Sequence, residues 1–308
     1  MSLFDHLLVA LNVTAPILII LLAGIGFKKI NLIDDHFVSV GNKLVFNVAL
    51  PCLLFLSTAS GSFSQNLNTQ LIGFAALATI LSVVIVWLIA YYFVEKSKLG
   101  VFTQCAFRGN MAIIGLALCV NAYGEQIIAK AAVYLAFITV LYNLLAVLLL
   151  SNTKQGMLKK IAKNPLIIAI ISGALWSSLN LPTPQIMGKS LGYLSQLTLP
   201  LALLCIGASL DWHSFKANHK QAASATAIKL IIQPLIIVTI GIYLGFDQQE
   251  TGILFLMMAT PTAAAAYVMS KQMTQHGNLA AEIITLSTAL SPLTVTLGLV
   301  ILSYLGFV

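Results

Sequence analysis

The sequence predicts an all-α membrane protein of ten transmembrane helices, built as two five-helix halves with the second inverted relative to the first. Three observations predict this fold: composition, an internal repeat and the placement of basic residues. The chain has 308 residues, of which 59% are hydrophobic and 8% charged, and its mean hydropathy is +0.97. No soluble globular domain needs that much apolar surface. Residues 16–51 and 165–200 align without a gap at a constant offset of 149. Pro16 matches Pro165, Gly24 matches Gly173, Asn31-Leu32 matches Asn180-Leu181, and Leu50-Pro51 matches Leu199-Pro200. The matches fall on residues that shape the backbone rather than on interchangeable aliphatics. Duplicated membrane halves are the usual architecture of a secondary transporter, whose site lies where the halves meet.

Taken in order, the apolar segments lie at about 7–27, 37–59, 69–94, 99–122, 126–150, 164–181, 187–210, 217–245, 249–272 and 279–306. Each approaches the roughly 20 residues that cross a hydrocarbon core of about 30 Å. The first half is then 1–150, the connecting loop 151–163 and the second half 164–308. An odd number of spans per half forces the second copy to insert upside down. Basic residues test the count. Connections after odd-numbered segments hold Lys28, Lys29, Lys96, Lys98, Lys154, Lys159, Lys160, Lys163, Lys216, Lys220 and Lys271, whereas those after even-numbered segments hold Lys189. That asymmetry places the odd connections in the cytoplasm and both termini outside.

The formal charge of +7 does not point to nucleic acid, because Lys and Arg are spread over short loops with no basic stripe. Cys52, Cys105, Cys119 and Cys205 fall in apolar segments without a C-x-x-C pair, the pattern of buried free thiols. The first apolar run carries its basic residues after it, at Lys28-Lys29, which is not the order of a cleavable signal peptide. No cofactor, metal site or catalytic residue is expected.

Two segments carry helix breakers at mid-span. The fourth contains Phe107-Arg108-Gly109-Asn110-Met111-Ala112-Ile113-Ile114-Gly115, where two glycines and an Asn are weak helix formers. The ninth contains Met258-Ala259-Thr260-Pro261-Thr262-Ala263, and Pro261 removes a backbone donor and crowds the preceding turn. Both hold the fourth position in their half. Interruptions at corresponding positions point to a transporter's binding site, where freed N–H groups and positive half-helix ends attract anions.

In these motifs the chain resembles the auxin efflux carrier family, which includes the plant PIN exporters and bacterial malonate-type carriers. The resemblance covers essentially the whole chain. It rests on Gly109-Asn110 with Gly115, on Thr260-Pro261-Thr262, on Ser287-Thr288-Ala289-Leu290-Ser291-Pro292-Leu293-Thr294, and on Asn47 with Leu50-Pro51. It implies broken fourth and ninth helices that cross at mid-membrane, and a scaffold of helices 1, 2, 6 and 7. It also implies an elevator-type transport domain of helices 3–5 and 8–10, organic anions as substrates, and a homodimer formed through the scaffold. Many members carry a Pro at the fourth-helix crossing and a second one nearby. Here Gly109 and Ala117 stand in those places.

The candidate substrate-binding residues are Arg108, Gly109, Asn110, Thr260, Pro261, Thr262 and Asn47. Arg108 leads, because its planar fork suits a carboxylate; the alternative is a structural ion pair with Glu282. Asn110 either caps a half-helix or touches substrate. Thr260 and Thr262 flank the proline and can bond freed carbonyls. The family resemblance sets Asn47 on the scaffold helix that faces the crossing; the alternative is an interhelical hydrogen bond. Lys229 and Gln233 are one turn apart on the eighth segment. Together with Glu282 they are candidates for coupling or charge support, and Lys229 either replaces a coupling cation, exchanges a proton or bonds helix carbonyls. Tyr142 and Asn143 can reach the cavity, although nothing in their spacing demands it.

The expected partners are a small carboxylate, the lipid bilayer and a proton or sodium ion. Three rival functions differ by what they would need. A sodium-coupled symporter of the bile-acid type needs a cluster of oxygen ligands at the crossing. An intramembrane enzyme needs a catalytic pair or metal motif, which the sequence does not show. A sensor would not need two matched breaks.

Overall fold

A chain buried in hydrocarbon must satisfy its backbone groups internally, and this one does so with helices. The computed structural model describes residues 2–60, 68–150, 163–210 and 218–308. Most of the 151–163 loop, and Lys216 with it, therefore lie outside the described residues. Among the described residues there is no strand and one isolated β-bridge.

Local chemistry explains where the helices begin and end. α1 (Leu3–Lys29) starts at a capping box in which Ser2 and Asp5 bond each other's backbone, and it ends on Lys28 and Lys29. α2 runs from Asp35–Leu44 through a π turn at Val45–Ala49 into Leu50–Ser60. α3 (Thr69–Ala90) is capped by the Asn68 side chain. α4 comes in two pieces, α4a (Lys96–Phe107) and α4b, which joins a π turn at Met111–Gly115 to Leu116–Tyr123. α5 is Ile128–Leu150. α6 (Pro165–Ser178) has its proline in the first turn, where no N–H is missed. α7 joins Gln185–Gln196 to Thr198–Ala208 across Leu197. α8 runs from His219–Ala227 through a π turn at Ile228–Ile232 into Gln233–Tyr243. α9 is again split, into α9a (Gln248–Met258) and α9b (Ala264–Met273). α10 is Gly277–Tyr304. Lys189 falls inside α7 rather than in a connection.

Among the described residues, seven helices are long and apolar enough to cross a membrane, and Met111–Tyr123 and Pro165–Ser178 are shorter apolar helices. The molecule is a multi-pass helical membrane protein. Its surface bears this out: Leu77, Leu81, Val84, Ile85, Leu88 and Ile89 are exposed along α3, a face suited to lipid and not to water. The buried polar residues cluster on α4, α8, α9 and α10: Gln104, Arg108, Lys229, Thr260, Thr262, Glu282 and Ser287 are all enclosed.

The repeat seen in sequence recurs in backbone geometry. Among the described residues, the non-glycine residues with positive φ are Asn31 (57°) and Asn180 (50°), which are partners at the offset of 149. Each closes its helix in the same way. Leu32 N donates to Phe27 O at 2.9 Å, and Leu181 N to Trp176 O at 3.2 Å, the bond that satisfies a terminal carbonyl. α1 packs against the second part of α7, and α6 packs against the second part of α2. A Cβ on Gly24 would lie 2.3 Å from Leu204 O, and one on Gly173 would lie 2.7 Å from Phe55 O. Leu204 and Phe55 are themselves 149 residues apart, so the same close approach occurs twice with the helix order exchanged.

The π turns also follow a rule. In α2 and α8 one residue separates the π turn from a proline, Pro51 or Pro234. A proline without an N–H cannot close an ordinary α-helical turn, and the wider register accommodates it. In α4b the equivalent residue is Ala117, yet the π turn at Met111–Gly115 is present. Here the first hydrogen bonds of the segment start at a helix break: Ile114 N and Gly115 N both donate to Asn110 O, at 3.0 and 3.1 Å.

Candidate transport site

The two interruptions meet. α4a ends at Phe107, and Arg108 (φ −80°, ψ 99°) is extended; the π turn resumes only at Met111. α9a ends at Met258 and α9b starts at Ala264. Between them the two stretches run antiparallel, with Gly109 opposite Thr262. Asn110 N donates to Pro261 O at 2.7 Å, and Ala263 N donates to Arg108 O at 3.0 Å. The nonhelical residues are 108–110 and 259–263, within the two stretches that carry the breakers.

Breaking a helix frees carbonyls at its end, and side chains take them up. Lys229 Nζ donates to Met258 O at 2.5 Å and to Gln233 Oε1 at 3.2 Å. Thr262 Oγ1 donates to Cys105 O at 2.7 Å, and Thr260 Oγ1 to Met257 O at 2.8 Å. Thr262 N finds Ser287 Oγ at 3.1 Å. Gly109 makes this crowding possible. A Cβ there would sit 2.3 Å from Thr260 Oγ1 and 3.2 Å from Lys229 Nζ.

Arg108 points the other way. It is 7% exposed. Its Nη2 donates to Asn143 Oδ1 at 2.8 Å and its Nη1 to Met269 Sδ at 3.3 Å. Gln104 Nε2 reaches the same sulfur at 3.7 Å. Among the described residues no carboxylate pairs with Arg108; the ion pairs there are Lys28–Asp35 and Lys98–Glu95.

The alternative of an Arg108–Glu282 pair is not what the structure contains. Glu282 is enclosed and accepts from Asn218 N at 3.1 Å and Asn218 Nδ2 at 3.0 Å. It lies early in α10, against the positive N-terminal end of α8 that Asn218 begins. Asn47 is exposed, and its Nδ2 bonds its own helix at Lys43 O, 2.8 Å. The structure does not bring it into hydrogen bonding with the bridge. The sequence does not single out Gln104, Met269 or Asn218, and it marks Asn143 only as able to reach the cavity. Gln104 carried a signal, being a polar residue one turn before Arg108 on the same face. Met269 carried none.

The family described as "Membrane transport protein" matches residues 9–156 and 149–299. The chain belongs to this family, the auxin efflux carrier or PIN-like family. It is 27% identical over 292 residues to an uncharacterised transporter of Methanothermobacter thermautotrophicus, covering 93% of this chain and 96% of that one. An uncharacterised transporter of Methanocaldococcus jannaschii is 25% identical over 307 residues, 94% of this chain and 98% of the relative. The uncharacterised transporter YfdV of Escherichia coli is 22% identical over 279 residues, 83% and 86% of the two chains. Both interruptions lie within the residues that the family matches.

Proposed function

We propose that this membrane transport protein is a secondary transporter that carries a small organic anion, a mono- or dicarboxylate, across the inner or plasma membrane by elevator-type alternating access. The observation that carries the reading is Arg108, an enclosed guanidinium beside the Gly109–Thr262 bridge with no carboxylate paired to it among the described residues. An always-charged group in such surroundings needs an anionic partner or a task. Asn110, the freed N–H groups at the start of the Met111 segment, Thr260, Pro261 and Thr262 complete the site.

The proposed frame is two inverted repeats, 1–150 and 164–308. The seven long apolar helices, Pro165–Ser178 and the two interrupted pairs make ten spans in this reading. The exchanged packing of Gly24 on Leu204 and Gly173 on Phe55 supports the inversion. Helices 1, 2, 6 and 7 form the scaffold and the homodimer contact, helices 3–5 and 8–10 carry the site, and both termini face outward. A reporter fused after Val308 tests this: activity confined to the cytoplasm would overturn the inversion.

The rival is a sodium-coupled symporter of the bile-acid type. Lys229 speaks against it, because its Nζ already takes the Met258 carbonyl that a cation at the bridge would use. Proton coupling or no coupling follows. The test is a thermal-shift screen of mono- and dicarboxylates on purified protein, with and without sodium and across pH, followed by uptake into proteoliposomes. Arg108→Ala is expected to weaken binding by about 10- to 150-fold, the loss of one charge-assisted bond. Arg108→Lys restores part of it, and Asn110→Ala impairs transport. A folded Arg108→Ala protein that binds normally would remove Arg108 from the site.

A further inference from the structure

We propose that the carboxylate of the transported anion seats at the position of the Met269 thioether, held by Arg108 and Gln104, and that Met269 swings away to admit it. The inference rests on the carboxylate reading above and gives that site its missing donor and its occupant in the empty state.

The donors and acceptors around Arg108 are mismatched in strength. A buried guanidinium calls for strong acceptors. Arg108 Nη2 has one, Asn143 Oδ1 at 2.8 Å. Its Nη1 has only the Met269 sulfur at 3.3 Å, and a thioether is a weak acceptor. Gln104 Nε2 converges on that sulfur from 3.7 Å. Gln104 is fully enclosed and its Oε1 has no partner. Two donors, Gln104 in the last turn of α4a and Arg108 just past its end, thus aim at a single atom that rewards neither fully.

A carboxylate at that point rewards both. Its two oxygens accept one bond from each donor, and bonds between charged groups are about twice as strong as neutral ones. Displacement is easy for Met269. It is partly exposed, and its unbranched side chain has three soft torsions and repacks without moving α9b. Asn143 is also partly exposed, so the seat opens where α4a, α5 and α9b meet. Asn143 keeps the guanidinium oriented while the other nitrogen changes partner. The exchange replaces a neutral weak acceptor by an anion, so it selects carboxylates over neutral analogues of the same shape.

The experiment uses the full chain with methionine labelled at its ¹³C-methyl carbon. It is titrated with acetate, malonate and succinate, with malonamide as the neutral control. The Met269 methyl signal, assigned by Met269→Leu, is expected to shift with the carboxylates and not with malonamide. Met269→Leu removes the competing acceptor and is expected to tighten carboxylate binding about two- to tenfold. Met269→Gln installs a stronger acceptor and is expected to weaken it by a similar factor, as is Gln104→Leu. An unmoved methyl signal, or Met269→Leu binding that is unchanged or weaker, overturns the seat. If Arg108→Ala weakens binding in that case, the transport reading survives and only the seat fails. If no carboxylate binds the parent protein, both fail.

Discussion

The two interrupted helices are built to opposite ends. At α9 the freed groups are closed off: Met258 O by Lys229, Met257 O by Thr260, and Thr262 N by Ser287. At α4 the bridge takes Asn110 N and Arg108 O, and Thr262 takes Cys105 O, yet the side chain beside them lacks a second strong acceptor. Arg108 rests on an amide oxygen and a sulfur. One break is a finished joint and the other leaves a cation wanting a partner. The pairing of a proline break with a glycine break follows from this. Pro261 stops α9a by itself, whereas Gly109 lets α4 pass close enough for Thr260 and Lys229 to do their bonding.

The largest effect that would break this comparison is steric. Gly109→Ala puts a methyl group 2.3 Å from Thr260 Oγ1, and the protein is expected to lose about 3 kcal/mol, the cost of overpacking a rigid interior. Thr260→Ala in the same chain should recover most of that loss, read as the midpoint of thermal unfolding. No recovery would mean that the backbone, and not the hydroxyl, sets the limit.

Next in size is the closure of the α4a end. Thr262→Val keeps the shape and removes the donor to Cys105 O. A loss of about 2 kcal/mol is expected for an orphaned buried carbonyl, measured by the same melt. Carboxylate affinity should change far less than in Arg108→Ala; an equal loss would show that the two breaks are not functionally distinct.

The smallest effect compares the two halves. Asn31→Ala and Asn180→Ala place an alanine at φ 57° and 50°, and each is expected to cost about 1 kcal/mol. The corresponding glycine variants should be close to neutral. Unequal costs would show that the two helix ends are not equivalent despite their matching bonds.

What the sequence made legible was backbone shape. Asn31 and Asn180, the break at Gly109–Asn110 and the break at Pro261 were readable because glycine, asparagine and proline act on their own φ and ψ. The helix segments were readable because bilayer thickness fixes their length. What was not legible was which side chains meet across helices. Glu282 bonds Asn218 and not Arg108, Asn47 bonds its own helix, and Met269 lies under Arg108. Such partners depend on how each helix is rotated about its axis, and a mostly apolar segment carries little information about that rotation. The π turn at Met111–Gly115 was hidden for another reason. Its counterparts are announced by Pro51 and Pro234, while here the chain break does the same work beside Ala117.

Arg108 also has an electrical consequence. A fixed, unpaired positive charge inside a bilayer feels the transmembrane voltage whenever the segment that bears it is displaced along the membrane normal. That work is about 2.3 kcal/mol per elementary charge for each 100 mV crossed in full. On the proposed function, a monocarboxylate seated at Arg108 would cancel it and a dicarboxylate would reverse its sign. The protein with and without that cargo would then respond differently to the same voltage, and the direction of that difference would report the valence of the cargo.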